Sequence, residues 1–278
     1  MKKIPFSRKS ESILTVNRKP FTEESSLVAG MTTRKGGEGV QPFDTLNTAF
    51  HVGDDPQTVV ENRKHVGREI GFPLSSWTAC EQIHGNEIIK INNKDKGKGA
   101  LSRDSAAGEA DGIYTKEKGL LLVSFYADCV PLIFYAPAAG YIGLAHAGWK
   151  GTALNIGGKF IRTWAGKEGI DLEEIYAVIG PSISQNAYEV DDKVISKMKQ
   201  VLPARVPEPW YTSQRKDRFQ LDMKEMNRIL LEHEGIPPEN IFVSSHCTYN
   251  ENDLFFSHRR NSGGTGRMMT FIGFEKDQ

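Results

Sequence analysis

Cysteine is scarce in this 278-residue chain, with three at positions 80, 129 and 247. An odd, widely spaced set of this kind is not a disulfide framework, and it fits a reducing cytoplasm. No apolar run approaches the ~20 residues of a membrane-spanning helix. The basic opening MKKIPFSRKSES lacks the apolar stretch of a secretory signal. Net charge is absent too, because Lys+Arg and Asp+Glu both total 35. That balance offers no general attraction to nucleic acid or to an anionic membrane, so neither is expected as a partner. The phosphate-loop pattern GxxxxGK[ST] and the metal patterns CxxC and HExxH are missing, and no short-period repeat is present.

What remains has an ordinary globular composition, 38% hydrophobic and 25% charged, which argues against long disorder. Strand-like pieces occupy 12–16 and 26–29. The glycine-rich MTTRKGGEGV then reads as a mobile loop carrying Arg34 and Lys35. Asp54-Asp55-Pro56 starts a helix whose face is Val59, Arg63, Val66 and Ile70, and Gly71 stops it. Residues 92–108 are rich in Lys, Gly, Asn and Ser and read as a surface loop. The run LLLVSFYADCVPLIFYAP, interrupted by Pro131, reads as two buried strands near 120–127 and 131–136. YIGLA is a short strand. Thr152 is expected to cap a helix with the face Ala153, Ile156, Phe160 and Trp164. Further on, IYAVIG, IFVSSHCT and RMMTFIGF read as strands. Val190, Val194, Met198 and Val201 form one helix face, and Leu221, Met226 and Leu230 another, ended by Gly235. The mixture predicts a single α/β (α+β) domain over 1–278, a layered sandwich with mixed sheets.

Chemistry-bearing residues gather where apolar strands run out: His84, Asp128 with Cys129, His146, and His246 with Cys247. Strand ends combine a rigid scaffold with variable loops. His84, Cys129 and His146 could hold zinc, which prefers imidazole and thiolate, and three protein donors leave a fourth position open. Taken singly, each histidine also fits a hydrogen-bonded core or loop residue, and Cys129 a small buried hydrophobe. The same residues permit a second reading, in which Cys129 is a nucleophile and His146 its base. The two readings conflict, since a ligand gives its lone pairs to metal and a nucleophile needs them free.

Arg34 and Lys35 beside glycines suit an anion clamp or an exposed basic loop. In SHRRNSGGTGRMM, Arg259, Arg260 and Arg267 flank glycines and suit either phosphate binding on backbone amides or a plain turn. Asp111 and Asp128 are candidate bases, or carboxylates that orient a ligating histidine. Their plainer roles are a turn residue and a strand-end residue. Trp149 either walls a pocket for a flat ring or packs its turn. Trp164 is core. His51, His65 and His233 read as surface or capping residues, and Cys80 as packing.

The strings TTRKGG, FDTLN, VGDDPQTVVENR, QIHGNE, ADGIYT, ADCVPLIFY, GLAHAGWKGT, IGPSISQNAYEV and FFSHRRNSGGTGRM, in this order, resemble the YfiH/YlmD family. That family is also called the laccase-domain, polyphenol-oxidase or peptidoglycan-editing-factor family. The resemblance covers nearly the whole chain from about residue 25, and ADC and HAGWKGT are its most specific marks. It implies a mixed α/β layered fold related to the cytotoxic-necrotizing-factor catalytic domain. It also implies zinc ligation by His84, Cys129 and His146, with Arg34, Asn47, Gln82, Asp111, Asp128 and Arg260 as pocket residues. The implied activity is phosphorolysis of adenosine, inosine and methylthioadenosine with adenosine deamination; the older implication is copper-dependent phenol oxidation. His258 departs from the pattern, where an aromatic residue such as Tyr is expected.

A multicopper oxidase needs many histidines, whereas this chain has seven and no His-x-His pair. Copper remains an alternative occupant of the site. An open zinc position suits deamination, because zinc activates water near neutral pH; Asp128, or else Asp111, is the expected proton carrier. Phosphorolysis needs an anion seat, for which Arg34 and Arg260 are the candidates. Three functions are thereby expected in order: a cytoplasmic zinc-dependent purine nucleoside enzyme using phosphate, a Cys129/His146 hydrolase of a peptidoglycan precursor, and a metal-binding partner of the envelope machinery. A monomer or homodimer is expected.

Overall fold

The computed structural model describes residues 5–203, 206 and 210–276, apart from the side chain of Gln214. The chain opens with β1 (Phe6–Arg8), β2 (Ile13–Val16) and β3 (Leu27–Thr32). Helix α1 (Pro56–Ile70) follows. Its cap Asp55 accepts the N–H of Thr58, Pro56 opens its first turn, and Gly71 leaves it at φ 78°, the left-handed exit that glycine makes inexpensive. Strands β4 (Trp77–Thr78), β5 (Ile88–Lys90), β6 (Gly112–Thr115), β7 (Leu120–Tyr126), β8 (Val130–Ala136) and β9 (Tyr141–Ala147) come next. Helices α2 (Trp149–Ala153) and α3 (Ile156–Thr163) lead to β10 (Tyr176–Ile179) and β11 (Glu189–Asp191). The rest comprises α4 (Asp192–Val201), β12 (Tyr211–Arg215), β13 (Arg218–Leu221), α5 (Met223–His233), β14 (Ile241–Val243) and β15 (Met268–Phe274).

Two six-stranded sheets carry the fold, in the orders β1-β2-β3-β15-β7-β4 and β14-β10-β8-β9-β6-β5, and β11-β13-β12 form a small third sheet. Both large sheets mix parallel and antiparallel neighbours. Side chains alternate across a strand. In β7, Leu120, Leu122 and Tyr126 face the second sheet, whereas Leu121, Val123 and Phe125 face α1 and its surroundings. In β8, Ile133 and Tyr135 face the first sheet, and Leu132, Phe134 and Ala136 pack with α3 and α5 residues such as Phe160 and Leu231. The result is a four-layer α/β sandwich. Every residue of β7, β8, β9 and β15 is buried, which is why they read as near-continuous apolar runs. Each large side chain buried there contributes about 1.5–3 kcal/mol.

Several local expectations need correction. Thr152 lies inside α2 and caps nothing; Asn155, at φ 52°, is the cap of α3 and accepts the N–H of Gly158. An asparagine tolerates this left-handed backbone better than most residues. Val190 belongs to β11 and Leu221 to β13, so both helices start later than periodicity implied. The 92–108 segment is not loose: Asn92 and Asp95 form a capping box, and Asp95 and Ala100 are buried. No helix among the described residues is long and apolar enough to cross a membrane.

Candidate functional site

The alternation that builds the core also builds the site. His146 shares its face of β9 with Ile142 and Leu144, which lie between the two sheets. Cys129 immediately precedes β8 in phase with Ile133 and packs against the same inter-sheet core. Asp111 immediately precedes β6 in phase with Ile113. All three therefore point to one end of the layer between the sheets. His84 reaches that end from the loop after β4, where it adopts φ 58°. The ligand atoms of His84, Cys129 and His146 lie within 4.8 Å of one another.

Asp111 organises this trio. Its carboxylate accepts the backbone N–H groups of Ile83, His84 and Gly85 at 3.2, 3.1 and 2.7 Å. It also lies 2.8 Å from His146 Nδ1, which leaves Nε2 as the ring nitrogen for the cluster. Burial raises the Asp111 carboxyl, but the hydrogen bond and charge of His146 and the N–H groups of Gly85 and Ile83 outweigh it and hold the group below its usual value. Burial likewise raises the Cys129 thiol, yet His146 and His84 bring it down to about 6. His146 loses by burial and gains more from Cys129 and Asp111, reaching about 9. The donor set suits zinc in charge and softness, with the carboxylate–imidazole support common around that metal. Local space fits too. A Cβ added at Gly148 would come within 3.1 Å of Cys129 Sγ, 3.4 Å of His84 Cδ2 and 3.6 Å of His146 Cε1, so glycine keeps the pocket between the donors clear.

Asp128 adjoins Cys129 but faces elsewhere in its bonding. Its carboxylate accepts from Thr248 Oγ1 at 2.6 Å, Ser257 Oγ at 2.9 Å and the Arg259 N–H at 2.7 Å. The segment 248–259 is thereby tied to the centre.

The expected pocket residues are engaged with backbone. Arg34 is no free clamp: its Nε and Nη2 donate to Asp44 O, Nη2 also meets Asp44 Oδ2 at 3.0 Å, and Nη1 donates to Asn252. Arg260 gives Nη1 to Thr248 O and Tyr249 O and Nη2 to Phe255 O. Asn47 is fully buried, donating to Ala49 O and Asp54 and accepting from the N–H groups of Ala49 and Arg267. Gln82 pairs its amide with both backbone groups of Phe125. His246 and Cys247 stay outside the trio; His246 Nδ1 lies 2.7 Å from Glu251, and Cys247 Sγ accepts from Ser184. Cys80 is buried, its thiol pushed up to about 12 by burial, and His258 is exposed.

Beside Cys129 opens a cavity of about 50 Å³ lined by Trp149, Tyr188, Ile183 and Met223 together with Gly148 and Asp128. For Trp149 a place in a pocket wall is one of the two roles its sequence allows. The sequence does not point to Tyr188, Ile183 and Met223: the first two come from the connection between β10 and β11, and Met223 opens α5, far from both in sequence. Gly85 follows His84 directly, and Gly148 stands two residues after His146.

Fold and site together define a layered α/β protein with a candidate three-donor metal centre at the end of a two-sheet core. Residues 28–275 match the family described as "Multi-copper polyphenol oxidoreductase laccase", and the chain belongs to it. The chain is 45% identical over 268 residues, 96% of each chain, to the protein named purine nucleoside phosphorylase YlmD of Geobacillus stearothermophilus. It is 43% identical over 274 residues, 98% of each chain, to the protein of the same name from Bacillus subtilis. The crystal structure of YlmD from Geobacillus stearothermophilus matches at a TM-score of 0.96 and 43% identity, covering 99% of this chain and 100% of that one. The resemblance read from the sequence strings and the mixed-sheet layered fold both stand.

Proposed function

We propose that the chain is a zinc-dependent purine nucleoside phosphorylase acting on inosine, adenosine and methylthioadenosine, with adenosine deamination as a second activity of the same site. The observation that carries the reading is the juxtaposition of the His84–Cys129–His146 donors with the aromatic-walled slot of Trp149 and Tyr188. The names borne by the relatives support it.

Phosphorolysis breaks the C1′–N9 bond and forms a C1′–oxygen bond to phosphate, while the bonding electron pair leaves on the purine. The chain must therefore hold a flat ring, exclude water and seat an anion. Trp149 and Tyr188 offer π-faces for the ring, and Ile183 and Met223 keep that slot apolar. Asp111 acts as a positioning residue: it fixes the tautomer of His146 and the turn that presents His84. Asp128 holds the 248–259 segment in place, and its three donors leave it poorly placed as a proton carrier. Zinc, when held by His84, Cys129 and His146, supplies Lewis acidity at an open coordination position.

Purified metal-loaded protein given inosine and phosphate should release hypoxanthine and ribose 1-phosphate. His84→Ala should remove both metal and turnover. Absence of base release from every purine nucleoside offered would sink the reading. One observation favours a competing hydrolase: Cys129 Sγ lies against two imidazoles with its thiol brought to about 6. That alternative requires activity to persist after metal removal, whereas the phosphorylase requires activity to vanish. Polyphenol oxidation with several coppers is disfavoured, because the described residues assemble one three-donor set.

A further inference from the structure

Arg63 lies on the buried face of α1 and is 1% exposed. Its guanidinium is sandwiched by the rings of Phe50 and Phe125, 4.2 and 4.6 Å from their centroids. Nε donates to Thr48 O at 2.7 Å, and Nη1 to Gly99 O and Ala100 O at 2.6 and 2.9 Å. Nη2 has no hydrogen-bond partner among the described residues. Nor does any described carboxylate offset the charge; burial acts on it unopposed and lowers it to about 9. Folded chains pair the cations they bury, because an uncompensated one is costly. Arg34 and Arg260, which are less buried, make the contrast: Arg34 has Asp44, and Arg260 feels the charge of Asp128.

The missing counter-charge has a place to sit. Arg63 lines a cavity of about 30 Å³ with Phe50, Phe125 and Cys80, and His51, Glu81 and Arg103 stand around it. Since ~10–15 Å³ holds one water, there is room for a small polar group beside the guanidinium. Glu81 and Arg103 neutralise each other through a two-pronged ion pair, so Arg63 sets the sign of the cavity. Gln82 forms part of its wall, and His84 follows two residues later, roughly 7 Å of extended chain.

We propose that this cavity is the phosphate subsite, with Arg63 as its fixed cation and His51 and Arg103 closing its rim. The proposal rests on the phosphorylase reading for the identity of the oxyanion. It moves the anion seat from Arg34, which is paired with Asp44, and from Arg260, whose Nη1 and Nη2 are held by loop carbonyls, to a buried charge that lacks a counter-ion. The aromatic walls remove water from around the guanidinium, which strengthens its attraction for an anion.

The test measures inorganic phosphate binding to the metal-loaded chain by calorimetry, together with the KM for phosphate in inosine cleavage. Arg63→Met should weaken phosphate binding and raise that KM at least tenfold, with metal content and the KM for inosine little changed. Because Arg63 also ties three carbonyls, this variant risks misfolding. His51→Glu, at an exposed rim position, tests the same idea by placing a negative charge at the mouth, and should raise the phosphate KM by a similar factor. Unchanged phosphate affinity in His51→Glu, or in folded Arg63→Met, overturns the subsite even if turnover depends on phosphate. Absence of phosphate binding by the unmodified chain overturns it as well. If the chain cleaves no purine nucleoside yet loses phosphate binding in these variants, the oxyanion site stands and the phosphorylase reading alone falls.

Discussion

Asp111 Oδ1 lies 2.8 Å from His146 Nδ1, and the same carboxylate gathers the N–H groups of Ile83, His84 and Gly85. A single side chain thus orients one metal donor directly and a second through its backbone. The two donors come from different elements, β9 and the loop after β4, so neither could fix the other without this bridge.

Asp111→Asn is accordingly expected to weaken zinc binding by about 10–100-fold. The amide keeps the shape but turns one oxygen acceptor into a donor facing N–H groups. Competition with a chromogenic chelator reads the change. An affinity equal to that of the unmodified protein would mean that the carboxylate does not support the centre.

Gly148→Ala tests the space between the donors. Gly148 sits at φ −66°, where alanine suffers no backbone strain, so any effect comes from the added Cβ meeting Cys129 Sγ at 3.1 Å and His84 at 3.4 Å. Metal content after purification should drop severalfold, while the melting temperature of the metal-free chain moves by only a few degrees. A variant that binds metal normally would show that the donors have slack.

The Cys129 thiol gives a pH signature. With its value held down to about 6 by His146 and His84, the metal-free chain should be alkylated at Cys129 at neutral pH, and the rate should fall as pH drops below about 6. Cys80, pushed up to about 12 by burial, should stay unmodified. The linkage has a definite sign. Stability owed to the lowered Cys129 is lost as pH falls through about 6. Stability owed to the raised His146 is lost as pH rises through about 9. Between these values the two trends oppose each other, so the pair should leave the stability of the metal-free chain nearly independent of pH there. Metal loading should protect Cys129; rapid labelling of the loaded protein would favour the hydrolase.

These residues also mark what could be read in the sequence. Cys129 and His146 stand at the ends of long apolar stretches that announce their burial on both faces, whereas His84 follows only the short strand-like start of TACEQIH. Helix α1 was legible from Asp55, Pro56 and Gly71 because caps are local chemistry. Partnerships across the chain were not legible. Arg34 and Arg260 displayed charge and glycine neighbours, while their backbone acceptors at Asp44, Thr248 and Phe255 left no trace in composition. The cap of α3 was misplaced because Asn155 takes a left-handed backbone that periodicity does not reveal. Arg63 is the one cation among Val59, Val66 and Ile70 on its helix face, and that local exception is the trace its burial leaves in the sequence.

Trp149→Ala should separate ring recognition from metal binding. Trp149 and Tyr188 both line the slot beside Cys129, and stacking on a base is worth about 1–3 kcal/mol. The KM for inosine should rise by about 5–150-fold with zinc content unchanged. A kcat loss at constant KM would instead place the indole in the chemical step.

Asp128→Asn distinguishes an anchor from a proton carrier. Asp128 stands at φ 86°, a backbone region asparagine also tolerates, so the substitution changes charge and acceptor capacity with little added strain. The buried carboxylate holds Thr248, Ser257 and the Arg259 N–H. Hydrogen bonds to a charged group contribute about 1.5–3 kcal/mol each, and the amide can replace at most part of them. Urea unfolding should show a loss of about 2–4 kcal/mol. Thr248→Ala and Ser257→Ala should each reproduce a fraction of it, because they withdraw one donor while leaving the carboxylate. A general base would behave oppositely: turnover would collapse in Asp128→Asn while the unfolding midpoint stayed in place, and the two alanine variants would be nearly silent in stability.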